Sequence, residues 1–157
     1  MARKKFSKFK GETRTSFMFP LLHQDVVKAV CERIESTWFC ENDEDEKCHN
    51  EYITHVMGKF RCTNRAYSTH GWGSKKVAIL IRGYAENGYN AEVFNQRCKS
   101  CDLLGTLTLD ERSYVDRVAY RIQKWAGVRM EQRYYASKGG MPHKREFCEG
   151  CKREVCR

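Results

Sequence analysis

The 157-residue sequence predicts an α+β domain: a small antiparallel β-sheet, with an N-terminal helix before it and a helix after its hairpin. Three observations predict this. Apolar residues recur at helical spacing between residues 20 and 37, two alternating stretches flank Asn87-Gly88, and a second helical stripe runs between residues 108 and 126. Hydrophobic residues are 41% and charged residues 31% of the chain, which suits one globular domain and argues against global disorder. Apolar runs fall short of the ~18 residues that a membrane-spanning helix needs.

The elements follow in chain order. Residues 1–14 hold six basic side chains against Glu12, the composition of a solvated, disordered tail, so the single domain is expected over 15–157. Pro20 suits a first helical turn, and Leu22, Val26, Val27, Val30 and Ile34 form the stripe behind it. Cys31 lies beside that stripe and reads as a small buried hydrophobe. Residues 41–51 carry a net charge of −5, a solvated acidic loop without the glycine and ligand spacing of an EF-hand. Tyr52 to Cys62 reads as a strand. Lys76 to Tyr84, with Val77, Ile79 and Ile81 on one face, turns at Asn87-Gly88 into Tyr89 to Arg97, with Tyr89, Ala91 and Val93 on one face. Thr108-Leu-Asp-Glu111 has the form of a capping box. Val115, Val118, Ala119, Ile122 and Trp125 then make an apolar stripe that Gly127 terminates.

Nine cysteines are the unusual count. They are odd in number and no export signal is visible, so a disulfide framework is the weaker reading and a cytoplasmic or nuclear location the expected one. Cys98-Lys-Ser-Cys101 and Cys148-Glu-Gly-Cys151 have the spacing that points two thiolates into one tetrahedral site. Neither opens a helix in a βαβ pattern, as a thioredoxin-like redox site would. The sheet is therefore expected to be braced by structural Zn²⁺. Cys40, Cys48 and His49 flank the acidic loop, but their spacing is not that of a knuckle.

The stretches GKFRCTN, GWGSKKVAILIRGY and YNAEVFNQRCKSC, continued by LGTLTLDERSYVDRVAYRIQKWAG and PHKREFCEGCKREVC, resemble the 3CxxC-type zinc-finger family, above all its small fungal members. Receptor-transporting and zygote-arrest proteins carry related domains. The resemblance implies zinc ligands at Cys62, Cys98, Cys101, His143, Cys148, Cys151 and Cys156, and two zinc ions. The family's first motif supplies a second cysteine shortly after the position of Cys62. Here Tyr67 stands near that place, and its phenol gives up a proton only near pH 10. His70 is either the alternative donor or a plain loop histidine, in which case the first site has three ligands. The resemblance further suggests either RNA binding or chaperoning of membrane receptors.

Three classes of function follow. The leading one is a protein-interaction or chaperone-like adaptor, with the acidic loop and the first helix as docking surfaces. The alternative is an RNA-binding or other nucleic-acid-binding zinc finger. Residues 61–100 carry a net +5 and residues 112–157 a net +7. Lys75, Lys76, Arg97 and Lys99 are candidate phosphate contacts, and Tyr67, Trp72, Tyr84, Tyr89, Tyr134 and Tyr135 candidate stacking platforms. The remote alternative is a zinc hydrolase of deaminase type, from His49-Asn-Glu51 and the Cys98–Cys101 pair, but Arg97 stands where that pattern has proline. Catalysis and a small-molecule substrate are not expected, since a site with four protein ligands keeps no position for water.

Overall fold

The computed structural model describes residues 12–41, 48–62, 71–99, 102–128 and 148–152, without the side chains of 151 and 152. Strand β1 is Ser16–Phe17. A 3₁₀ turn, Pro20–Leu22, leads into helix α1, His23–Val30. Strands β2 (Trp38–Phe39), β3 (Asn50–Cys62), β4 (Gly71–Tyr84), β5 (Gly88–Phe94) and β6 (Gly105–Leu109) follow. Helix α2 is Glu111–Trp125 and helix α3 is Glu149–Lys152. The expected α+β class is what forms.

The strands make a six-stranded sheet in the order β1-β5-β4-β3-β6, with β2 also pairing to β5. All pairings are antiparallel except β2 with β5, where Trp38 and Phe39 run alongside Gly88 and Tyr89. Gly88 is required there, because a Cβ would lie 2.3 Å from the Trp38 ring. The period-2 pattern is realised as expected. Val77, Ile79 and Ile81 of β4 and Tyr89, Ala91 and Val93 of β5 are buried in one cluster with Val26 and Val30 of α1 and Tyr114, Val118 and Ile122 of α2. Trp125 closes this layer at the far end of α2, lying so near the sheet that a Cβ on Gly83 would meet its ring at 2.7 Å.

Four expectations are corrected. The first helix stops at Val30 instead of running to residue 37. Arg33 and Ile34 both donate to the Val30 carbonyl, a turn that sends the chain towards the edge of β5 while keeping Ile34 buried. Cys31 then falls off the Val26–Val30 stripe and is exposed, its thiol donating to the Lys28 carbonyl at 3.3 Å. The hairpin tip sits one residue early, with Glu86 and Asn87 at φ of 58° and 62°. Thr108 is not a helix cap. It pairs with Lys59 in β6, and Asp110 caps α2 by accepting from the Ser113 amide at 3.1 Å. Residues 105–109 answer to pairing with β3 before the helix begins.

Candidate metal centre

The sheet curls until the chain beyond β5 meets the outer edge of β6. The Gly105 amide donates to the Gln96 carbonyl at 2.9 Å, and Arg97 forms an antiparallel bridge with Leu104. This seam gathers three segments that are distant in the sequence. Cys62 ends β3 opposite Gly105. Cys98 lies two residues beyond Gln96, and Gln96 is itself bridged antiparallel to Cys148. Cys62, Cys98 and Cys148 are buried, with relative exposures of 3%, 0% and 1%. Backbone pairing therefore brings Cys148 against the stretch that leads directly into Cys98.

The knuckle at Cys98 has a defined backbone. The Cys98 amide donates to the Leu103 carbonyl at 2.8 Å and the Asp102 amide to the Cys98 carbonyl at 2.7 Å. Asp102 takes φ of 59° to close it. Behind the knuckle Asn95 is fully buried and saturated. Its side-chain amide donates to the carbonyls of Arg14 and Gly105, both at 2.9 Å. Its Oδ1 accepts from the Gln96 amide at 2.8 Å, and its carbonyl accepts from the Glu149 amide at 3.1 Å. Gln96 donates to Ser74 Oγ and accepts from the Trp72 indole. Arg97 Nε donates to Glu149 Oε2 at 2.9 Å, and its Nη1 donates to the Asp102 carbonyl at 2.9 Å. Sequence reasoning missed Asn95 and Glu149. The available signal was a pair of opposite charges, one just before Cys98 and one just after Cys148.

The donor chemistry of the seam fits zinc. Cys62 and Cys98 belong to neither apolar cluster, although both are buried, and thiolates are ligands of choice for structural Zn²⁺. Cys148 packs against Ala78, Leu80 and Phe94. Cys151 is placed on α3 by its backbone. His70, Cys101, His143 and Cys156 lie outside the described residues, as does Tyr67. Among the described residues no group of three or more His, Cys, Asp or Glu side chains could by itself hold a metal.

The other candidate constellations fall elsewhere. His49 donates from its backbone to the Gly83 carbonyl, at the end of the sheet opposite Cys98, so these two described members of the deaminase-like set are held apart. Cys40 also sits at that end, its amide donating to the Tyr89 carbonyl. The Cys48 thiol donates to the Asn50 carbonyl at 3.0 Å, and burial, with the Glu51 charge, pushes its pKa up. Burial also pushes the neighbouring Tyr84 phenol up to about 12, reinforced by Cys40 and Cys48.

Of the four basic candidates, Lys75, Lys76 and Lys99 are exposed, and Arg97 is turned inward to Glu149 and Asp102. The described stacking candidates are engaged within the fold. Trp72 lies parallel to Phe60 with ring centroids 5.2 Å apart, Tyr84 accepts from Asn90, and Tyr89 is in the core. Tyr134 and Tyr135 lie outside the described residues.

One outward surface stands beside the seam. Met57, Lys59 and Arg61 project from β3, with Gly73 and Gly71 opposite Lys59 and Arg61 on β4 and Thr108 and Thr106 opposite them on β6. A β-bulge between Val56 and Gly58 leaves both Lys75 and Lys76 exposed next to this strip. A Cβ on Gly73 would touch nothing within 4 Å. The exposed positions of these strand segments hold four cations and no carboxylate.

Residues 55–154 match the family model of the 3CxxC zinc ribbon, described as a zinc-binding domain. No solved structure gives a significant match. No helix of the described residues is long and apolar enough to cross a membrane.

Proposed function

Since the chain belongs to the 3CxxC zinc-ribbon family, we propose that it is a zinc-braced adaptor that binds an acidic protein surface through the strip of β3, β4 and β6. The ligands in this reading are Cys62, His70, Cys98, Cys101, His143, Cys148, Cys151 and Cys156, holding two Zn²⁺. Zinc closed in this way supplies folding energy and no open coordination position, so the module binds and does not catalyse. A chaperone-like role is the same activity on an incompletely folded client.

The observation that carries the proposal is the strip itself. Met57, Lys59, Arg61, Lys75 and Lys76 face outward over a floor of glycine, where an extended or acidic partner can approach the backbone. Such a field speeds encounter and selects partner charge. A nucleic-acid backbone is anionic too, and RNA is the second reading. The protein reading is preferred because Trp72, Tyr84 and Tyr89, the described stacking candidates of the basic stretches, are engaged within the fold. The test is affinity capture of the zinc-loaded chain and of Lys59→Glu/Arg61→Glu, with and without nuclease. Protein partners that survive nuclease and disappear with the double variant are expected. Capture that vanishes on nuclease treatment, with steeply salt-dependent binding to single-stranded RNA, moves the assignment to RNA. Capture unaffected by the double variant rejects the strip.

A further inference from the structure

The geometry points to the Arg97–Glu149 ion pair as a clasp that joins the Cys98 and Cys148 metal loops, so that neither loop releases metal independently of the other. Arg97 immediately precedes Cys98, and Glu149 immediately follows Cys148. Their contact, Nε to Oε2 at 2.9 Å, spans 52 residues of sequence. It lies on a short direct path between the two loops. The same guanidinium reaches the Asp102 carbonyl at 2.9 Å, on the far limb of the Cys98 knuckle. One planar side chain thereby holds both limbs of one loop and the first residue of the other, a bidentate task that suits arginine and not lysine.

Burial makes the clasp stiff. The Glu149 side chain is 7% exposed and that of Arg97 is 25% exposed. A charge-assisted contact so poorly hydrated is screened little by salt, and its geometry is fixed further by the Glu149 amide donating to Asn95. Side chains outside a metal's own ligand set orient the ligands in this way. Their loss typically weakens metal binding about 10–100-fold. Arg97 and Glu149 are positioning residues in this sense and are not themselves ligands. The inference rests on the zinc-binding reading of the seam.

The test is zinc release from the loaded, full-length chain into a chelating dye, together with the visible spectrum of the cobalt(II)-substituted protein. Arg97→Ala and Glu149→Ala should each release zinc about tenfold faster and weaken the tetrahedral cobalt bands. The double variant should release no faster than the worse single one, because the two side chains act as a unit. Val118→Ala, which loosens the helix-covered core, should leave release unchanged. Arg97→Lys and Glu149→Gln serve if the alanine variants do not fold, with the same ordering expected. Single variants that release zinc at the unaltered rate, or a double variant whose acceleration is the product of the singles, overturn the clasp. An unaltered chain purified without zinc overturns the metal reading and the clasp with it.

Discussion

The helix-covered layer of the sheet and the seam beyond β5 are held by different physics. Between the helices and β4–β5, nearly every contact is aliphatic or aromatic. Val26, Val30, Ile79, Ile81, Val93, Val118 and Ile122 are each 2% exposed or less. At the seam beyond β5, the buried side chains include Asn95, Gln96, Glu149 and three cysteines. The first region is stabilised by removing apolar surface from water, which is insensitive to direction. In the second, each polar group costs free energy unless its partner sits in the right place. The seam therefore depends on a geometry that something must enforce, and in the proposed reading gathered thiolates with a bound cation do that.

Metal removal gives the largest expected effect. Hydrogen exchange of the zinc-loaded chain before and after chelation should show protection lost first at residues 95–98 and 104–105. The amides of α2 and of β4 at Ile79–Ile81 should retain more of theirs. Equal protection in both states would show that the seam holds itself. Uniform loss would merge the two regions into one cooperative unit.

Two truncations sharpen the contrast with smaller effects. Ile79→Ala opens a cavity in the apolar layer and should cost about 2–5 kcal/mol of unfolding free energy, with zinc content intact. Asn95→Ala removes two donated bonds and one accepted bond from a fully buried position. It should cost about 2–3 kcal/mol, since each orphaned group contributes part of its desolvation penalty. Denaturant titration paired with metal analysis separates the two cases. Asn95→Ala should lose zinc under conditions where Ile79→Ala does not. Indistinguishable metal retention in the two variants would dissolve the contrast.

The same contrast explains what was legible in the sequence. Val77, Ile79 and Ile81, and their partners Tyr89, Ala91 and Val93, announce themselves because a strand covered on one face repeats every two residues. Helix α2 is legible for the equivalent reason at period 3.6. Strands β1 and β2, of two residues each, are too short to carry any period. β6 alternates Thr106, Leu107, Thr108 and Leu109, but a capping pattern overlaps it, and tertiary pairing with β3 decides the outcome. The C-x-x-C spacing flags the seam, whereas Asn95 has no local signature and the Arg97–Glu149 contact shows only as two opposite charges beside the cysteines. Apart from the adjacent Gln96 amide, their partners in these side-chain bonds are 10 to 81 residues away. Directional interactions between distant residues leave no periodic trace, so the apolar layer could be read and the seam only located.

The smallest expected effect is titration of His23, which lies on the apolar side and gives that region its own pH dependence. Its Nδ1 is 2.9 Å from the Tyr89 hydroxyl, and its ring lies 5.6 Å from that of Tyr89 and 6.4 Å from that of Phe39. Burial lowers its pKa below the ordinary value of 6.5. The unfolded chain then binds a proton at this residue before the folded one does. Its contribution is therefore complete above about pH 6.5 and is lost as the pH falls through that value and towards the lower folded one. His23→Phe removes the titration while keeping a ring against Phe39 and Tyr89. Urea midpoints measured with zinc in excess, between about pH 7.5 and 5.5, should fall further for the unaltered chain than for this variant. Parallel curves would assign the acid sensitivity to the seam alone, where protonation of thiolates competes with the metal.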